Sequence, residues 1–150
     1  MPHRRKHYPP IGEKRGKKRQ VAAMFDAIAP RYDLLNRILS AGVDRRWRRQ
    51  AVEMIAPEQP RRVLDVATGT ADLAIEVARR LPVERVVGVD IAESMLQIGQ
   101  QKVDRLGLSE RVVLRRGDAE KLPFSDAQFD AVLVAFGVRN FENLERGLRE

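Results

Sequence analysis

The chain has 150 residues, 43% of them hydrophobic and 33% charged, with a formal net charge of +7. That length suits one domain burying about 68–70% of its unfolded surface; no apolar run approaches the ~18 residues of a membrane span, and the basic N-terminus lacks the apolar core of a secretory signal, so a cytoplasmic location is expected. With no cysteine, and with its two histidines both close to the N-terminus, the sequence offers neither disulfides nor thiol catalysis, and no metal site is expected.

The excess charge sits at the start. Residues 1–20 hold eight Lys and Arg against Glu13, while the remainder of the chain carries equal numbers of each sign. Residues 1–18, with Pro9, Pro10, Gly12 and Gly16 and little to bury, read as a basic flexible arm. Such an arm suits solvent, an anionic membrane surface or nucleic acid.

Residues 19–56 read as a helical cap. Val21, Met24, Phe25 and Ile28 recur at helical spacing, and Pro30 is expected to end that helix. A second apolar set, Leu34, Leu35, Ile38 and Leu39, stops at Ser40-Ala41-Gly42. A third helix is predicted from about Val43 to Ile55, with Val43, Trp47, Ala51 and Ile55 on one face. Arg45, Arg46, Arg48 and Arg49 fall opposite, which fits either a solvated arginine face over a Trp-anchored contact or a helix lying on a membrane. Pro57 and Pro60 mark the junction with a core over residues 60–150.

That core opens with Val63-Leu64-Asp65-Val66, an apolar run suited to a strand covered on both faces. The small residues Ala67-Thr68-Gly69-Thr70-Ala71 follow and let backbone approach a ligand closely. Asp72 then begins a helix whose free N–H groups face back toward the loop. Strand, tight loop and helix in this order make a nucleotide-type site at the carboxyl end of a sheet. The loop has too few glycines for the dinucleotide fingerprint and no Gly-Lys-Ser/Thr for a P-loop. Asp65 and Asp72 would repel a pyrophosphate but suit an amino or sulfonium group, and S-adenosylmethionine carries both. An ordinary βα turn is the alternative for this loop taken alone.

Arg85–Asp90 is the second predicted strand, ending in an acid that a doubly wound fold aims at ribose hydroxyls. A helix runs from about Glu93 to Leu106, with Gly107 as its stop. Arg111–Leu114 is the third strand, leading into Gly117–Phe124; Phe129–Phe136 is the fourth, followed by Gly137-Val138-Arg139-Asn140 and a helix from about Asn143. Alternating strands and helices imply an α/β, Rossmann-like parallel sheet with helices on both faces.

The blocks VLDVATGTADL, VVGVDIAESML, RRGDAEKLPFSDAQFD and VLVAFGVRN, in this order, resemble the class I S-adenosylmethionine-dependent methyltransferases. The stretch FDAIAPRYDLLNRILSAGVDRRW together with FGVRNF resembles, within that class, the quinone C-methyltransferases called UbiE or MenG. The similarity runs from about Val21 to Glu150. Three positions depart from the pattern: Leu35 stands where methionine is usual, Asp44 where histidine is usual, and Ala71 replaces the last glycine of the loop.

The resemblance implies S-adenosylmethionine as cofactor and methylation of a polyprenyl quinol, demethylmenaquinol to menaquinol, in menaquinone or ubiquinone biosynthesis. It further implies that Thr70, Gly69 and the loop from Asp65 to Ala71 hold the methionine part. Asp90 would take the ribose, Asp118 and the Ala119 backbone the adenine, and Ala135 with Phe136 would line the pocket. Arg139 and Asn140, just beyond the fourth strand, are predicted to stabilise and orient the quinol oxygen. Tyr32 and Asp33 would close over the substrate, with Asp33 or Asp72 as proton acceptor. The family fold has seven strands, so three further strands are expected beyond residue 150, and a bare fourth strand would be an apolar edge. Two alternatives are an RNA or other small-molecule methyltransferase and a non-catalytic cofactor-binding module. The 5% aromatic content speaks against nucleic acid as partner.

Overall fold

The computed structural model describes residues 14–135 and 137–150. The four apolar runs form four parallel strands: β1 (Arg62–Val66), β2 (Arg85–Asp90), β3 (Val112–Arg116) and β4 (Ala131–Val134). Their order across the sheet is β3-β2-β1-β4. The helices are α1 (Lys14–Leu39), α2 (Val43–Ile55), α3 (Asp72–Arg80), α4 (Glu93–Arg105) and the short α5 (Leu144–Arg149). Single 3-10 turns occupy Ala56–Glu58 and Gly137–Asn140.

β1 and β2 are buried from Val63 to Val66 and from Val86 to Val89, which is why they read as unbroken apolar runs. On one face Val63, Val86 and Val112 pack against Val52 of α2, Leu73 and Val77 of α3 and Val103 of α4. Two successive right-handed crossovers in the same direction put α3 and α4 on that one side. On the other face Leu64, Val66, Val87 and Val89 lie under Ala119, Leu122, Phe124, Phe129 and Phe141. The sheet is therefore covered on both faces as expected, but unevenly: the segment between β3 and β4, interrupted by Pro123, closes the second core with an edge-on Phe124–Phe129 pair instead of a long helix. Among the described residues β4 pairs only with β1, leaving Val132 58% exposed.

α1 differs from the sequence expectation at two places. It begins at Lys14, so residues 14–18 of the expected arm are helical, while residues 1–13 lie outside the described residues. It also runs through Pro30 instead of ending there. A proline inside a helix loses one hydrogen bond and crowds the carbonyl four residues back, at a cost of about 3 kcal/mol. Packing against α4 offsets this: Ala29 is buried with Ala92 and Met95, and the Asp26 carboxylate accepts from both the backbone N–H and the hydroxyl of Ser94. The turn expected at Ser40-Ala41-Gly42 is present, with Gly42 at φ +80. Among the described residues no helix is long and apolar enough to cross a membrane.

Gly88 connects the sheet to the loop after β1. It lies in register between Asp65 of β1 and Leu114 of β3, and a Cβ there would come within 2.7 Å of the Thr68 hydroxyl and 2.8 Å of Leu114. Gly88→Ala is expected to destabilise the fold by about 1–3 kcal/mol through overpacking, read as a lower urea midpoint at unchanged m-value. A midpoint equal to that of the parent would mean that Thr68 has room elsewhere.

Candidate active site

The sheet changes direction at β1: β2 and β3 lie on one side and β4 on the other. Chains leaving the carboxyl ends of β1 and β4 diverge there, and the crevice between them is where open α/β sheets bind ligands. A cavity of about 440 Å³ occupies that place, within the ~300–1,000 Å³ usual for small-molecule sites.

The loop between β1 and α3 forms its floor. Ala67, Gly69 and Ala71 all take positive φ, at +56, +58 and +66, a conformation that costs a residue with a side chain about 1–2 kcal/mol. Three side chains from different elements hold it. The Thr68 hydroxyl donates to Asp65 at 2.6 Å, the Gly69 N–H donates to Asp90 at 2.8 Å, and the Thr70 hydroxyl donates to Asp33 of α1 at 2.5 Å. Ala71 fits because Gly99 of α4 faces it, where a Cβ would lie 3.1 Å from that of Ala71.

Asp65 is 1% exposed. Burial pushes its pKa up to about 7, against the hydrogen bonds from Thr68 and the Ala74 N–H, with the nearby Asp90 and Asp72 adding to the rise. Asp90, at the end of β2, is also raised by burial, opposed by the N–H groups of Ala92, Gly69 and Ile91. Each of its oxygens takes one backbone N–H, which fixes the carboxylate and leaves acceptor capacity on both oxygens.

Asp118, also in the cavity wall, accepts from the Glu120 N–H at 2.9 Å and from the Lys18 ammonium at 2.6 Å. Its partial burial is outweighed by these donors, which hold its pKa below the usual range. Ala119 and Ala135 line the same space, as do Tyr32, Arg139 and Asn140. Gly137, which starts the turn carrying Arg139 and Asn140, touches the loop so closely that a Cβ would fall 2.2 Å from that of Ala67. Phe136 lies outside the described residues.

One cavity thus gathers Asp65, Gly69, Thr70, Asp90, Asp118, Ala119, Ala135, Tyr32, Arg139 and Asn140. Asp33 is not among its walls. Its carboxylate is turned to Thr70 and to Lys102 of α4, at 2.8 Å. Lys102 also reaches Asp72 at 2.6 Å, and Asp72 lies 3.6 Å from Arg48 of α2, which pairs with Asp44 at 2.9 Å. Asp33 and Asp72, the expected proton acceptors, are therefore held in ion pairs that link α1 and α2 to the loop.

Sequence reasoning missed Lys18, Arg48, Lys102 and Glu120. Lys18 carried a signal, since it precedes Val21 by one helical step, but its place in a basic run hid it. Arg48 also did, standing four residues after Asp44 where an ion pair forms on a helix. Lys102 and Glu120 have no such local mark, because their partners lie far away in sequence. Among the described residues no group of three His, Cys, Asp or Glu side chains is placed to hold a metal ion.

The model of the ubiE/COQ5 methyltransferase family matches residues 13–150. The chain is 53% identical to the demethylmenaquinone methyltransferase of Deinococcus radiodurans, over 95% of this chain and 58% of the relative. It is 50% identical to that of Bacteroides fragilis, over 89% and 55%. It thus spans little more than half the length of these curated relatives. Among solved structures it resembles a SAM dependent methyltransferase from Aquifex aeolicus, with a TM-score of 0.57 and 25% identity over 66% of this chain and 55% of the other.

The folded Asp65 holds a proton that the unfolded chain loses near pH 4, so this group's contribution to stability is present below that pH and is lost as pH rises toward 7, at up to ~1.4 kcal/mol per unit. Asp65→Asn removes that dependence. The fall in urea-derived stability between pH 5 and pH 7.5 is expected to be smaller in the variant than in the parent, other carboxylates cancelling in the comparison. An equal fall would mean that Asp65 is ionised throughout.

Proposed function

This chain belongs to the ubiE/COQ5 methyltransferase family, and we propose that it takes part in C-methylation of a polyprenyl quinol, demethylmenaquinol to menaquinol, with S-adenosylmethionine as methyl donor. The observation that carries this reading is the convergence of Asp90, the Gly69 backbone, Asp118 and the Arg139–Asn140 turn on one cavity at the reversal of the sheet.

The residues present fit the cofactor. Gly69, with φ +58 and no side chain, keeps the floor of the cavity low. The fixed Asp90 carboxylate has lone pairs for two ribose hydroxyls, and Asp118 can take an amino group beside Lys18. Asp65 and Asp72 line the space left for the cationic methionine end, with Asp72 already paired to Lys102 and Arg48. When bound, the cofactor supplies an electrophilic methyl on a sulfonium.

The quinol must attack through a ring carbon, which requires its hydroxyl to lose a proton; a phenol of this kind has a pKa near ~10. The Arg139 guanidinium, which lines the cavity, supplies positive charge where the phenolate develops. Asn140 orients the same oxygen, and Tyr32 packs the ring from the cap. Because Asp33 and Asp72 are engaged by Lys102, the proton would leave to bulk solvent through water at the open cavity, with Arg139 favouring the phenolate left behind. Positioning the carbon and the methyl ~3–3.5 Å apart would account for much of the rate; once methylated, that carbon would lose its hydrogen as a proton, the C–H electron pair restoring the aromatic ring and its phenolate, which takes up a proton to give the quinol.

A polyprenyl quinol resides in the bilayer, and the exposed Arg45, Arg46 and Arg49 of α2 supply attraction to anionic lipid of about 1 kcal/mol each. Replacing all three by serine is expected to reduce sedimentation with phosphatidylserine vesicles at low salt; unchanged sedimentation removes α2 from the contact.

Calorimetry with S-adenosylmethionine and S-adenosylhomocysteine is expected to give binding that Asp90→Ala abolishes, with none for NAD. In the full-length protein, Arg139→Ala is expected to lower turnover of demethylmenaquinol by about 100-fold or more at nearly unchanged cofactor affinity. NAD binding, or loss of cofactor affinity in the Arg139 variant, would contradict these assignments.

A further inference from the structure

Glu120 is a carboxylate that the reading above leaves without a task. It is 4% exposed, and burying an ion of this kind is unfavourable unless its oxygens are well paired. Its Oε1 accepts the backbone N–H groups of Glu142 at 2.6 Å and Asn143 at 2.9 Å, and its Oε2 lies 3.0 Å from the Lys18 ammonium. These donors outweigh its burial and hold its pKa below the usual range.

The two N–H groups belong to the stretch that leaves the Gly137–Asn140 turn, and Asn143 caps α5. The turn is thus fixed at both ends. At its start Gly137 rests on Ala67 of the loop; at its exit the chain is tied to a single buried carboxylate from the segment after β3. Between these points the backbone path decides where Arg139 and Asn140 enter the cavity. The same carboxylate draws in Lys18, so α1 and the turn share one anchor.

We propose that Glu120 is a positioning residue for methyl transfer: by accepting the Glu142 and Asn143 N–H groups it holds the Arg139–Asn140 turn in reach of the substrate oxygen. This rests on the catalytic reading of Arg139 and Asn140. Glu120 itself touches no reacting atom. Its effect belongs in kcat, since a displacement of about 1 Å in such a group costs on the order of 100-fold in rate, and the N–H groups it holds belong to the stretch after the turn and not to the loop that carries Gly69 and Thr70.

The test compares Glu120→Ala and Glu120→Gln in the full-length protein. In the alanine variant kcat for demethylmenaquinol is expected to fall about 10- to 100-fold, with KM close to that of the parent; a change in S-adenosylmethionine Kd caused by releasing Lys18 beside Asp118 should be shared by the glutamine variant. The glutamine variant keeps a carbonyl oxygen for the two N–H groups while losing the Lys18 ion pair, and it is expected to recover most of the turnover. Amide hydrogen exchange gives a readout independent of activity: exchange at Glu142 and Asn143 should accelerate in the alanine variant and stay slow in the glutamine variant, with β1 amides unchanged in both. Parental kcat in Glu120→Ala, equal losses in the two variants, or unchanged exchange at Glu142 and Asn143 would each overturn the proposal. A parent that exchanges as expected yet methylates no quinol overturns the catalytic reading, and with it the catalytic purpose assigned to Glu120, while the hydrogen-bond anchor stands.

Discussion

Three consecutive residues of the loop after β1 are each tied to a carboxylate from a different element. Thr68 is bonded to Asp65 of β1, Gly69 to Asp90 of β2 and Thr70 to Asp33 of α1. This is the constraint on which the rest of the site depends, because the loop takes a left-handed conformation at alternate positions that would relax if it were not held. Holding it leaves the backbone of Gly69 open to the cavity. It also sets the position of Gly137, which packs on Ala67, and through it the turn bearing Arg139 and Asn140.

So many carboxylates in a small volume would repel one another, and two devices limit this. Lys102 sits between Asp33 and Asp72, and Arg48 lies between Asp72 and Asp44. The pairs also bring α1 and α2 onto the same side of the loop. Asp65, which has no cationic partner among the described residues and is buried, instead has its pKa raised by burial to about 7.

Two of the departures from the family pattern are accommodated locally. Ala71 adopts φ +66, where glycine carries no penalty, and its methyl group lies in the space left by Gly99. Asp44 is buried with Ser40 donating to one oxygen and Arg48 to the other; burial is outweighed by these partners and its pKa is lowered. Leu35 is exposed, and nothing in the structure explains its difference.

Local pattern along the chain is enough to mark the strands and helices and the acids near the carboxyl ends of β1 and β2. Burial on both faces leaves an apolar run, and a helix interior leaves a period, so β1, β2 and α2 were legible almost to the residue, as was the meeting of Asp65, Gly69, Asp90 and the Gly137–Asn140 turn at one end of the sheet. Tertiary structure decided what local pattern cannot encode. Pro30 forbids a helix by local chemistry, yet α1 continues because Asp26 and Ala29 find partners on α4. Residues 14–18 looked like solvated charge, yet Lys18 is drawn into the cavity by Asp118 and Glu120, a hundred residues away. Asp33 stood beside Tyr32 in the expected substrate wall, but Lys102 and Thr70 turn it into a clamp. In each case the deciding energy comes from an ion pair or buried contact between elements distant in the chain, and such pairings exist only once the sheet has brought those elements together.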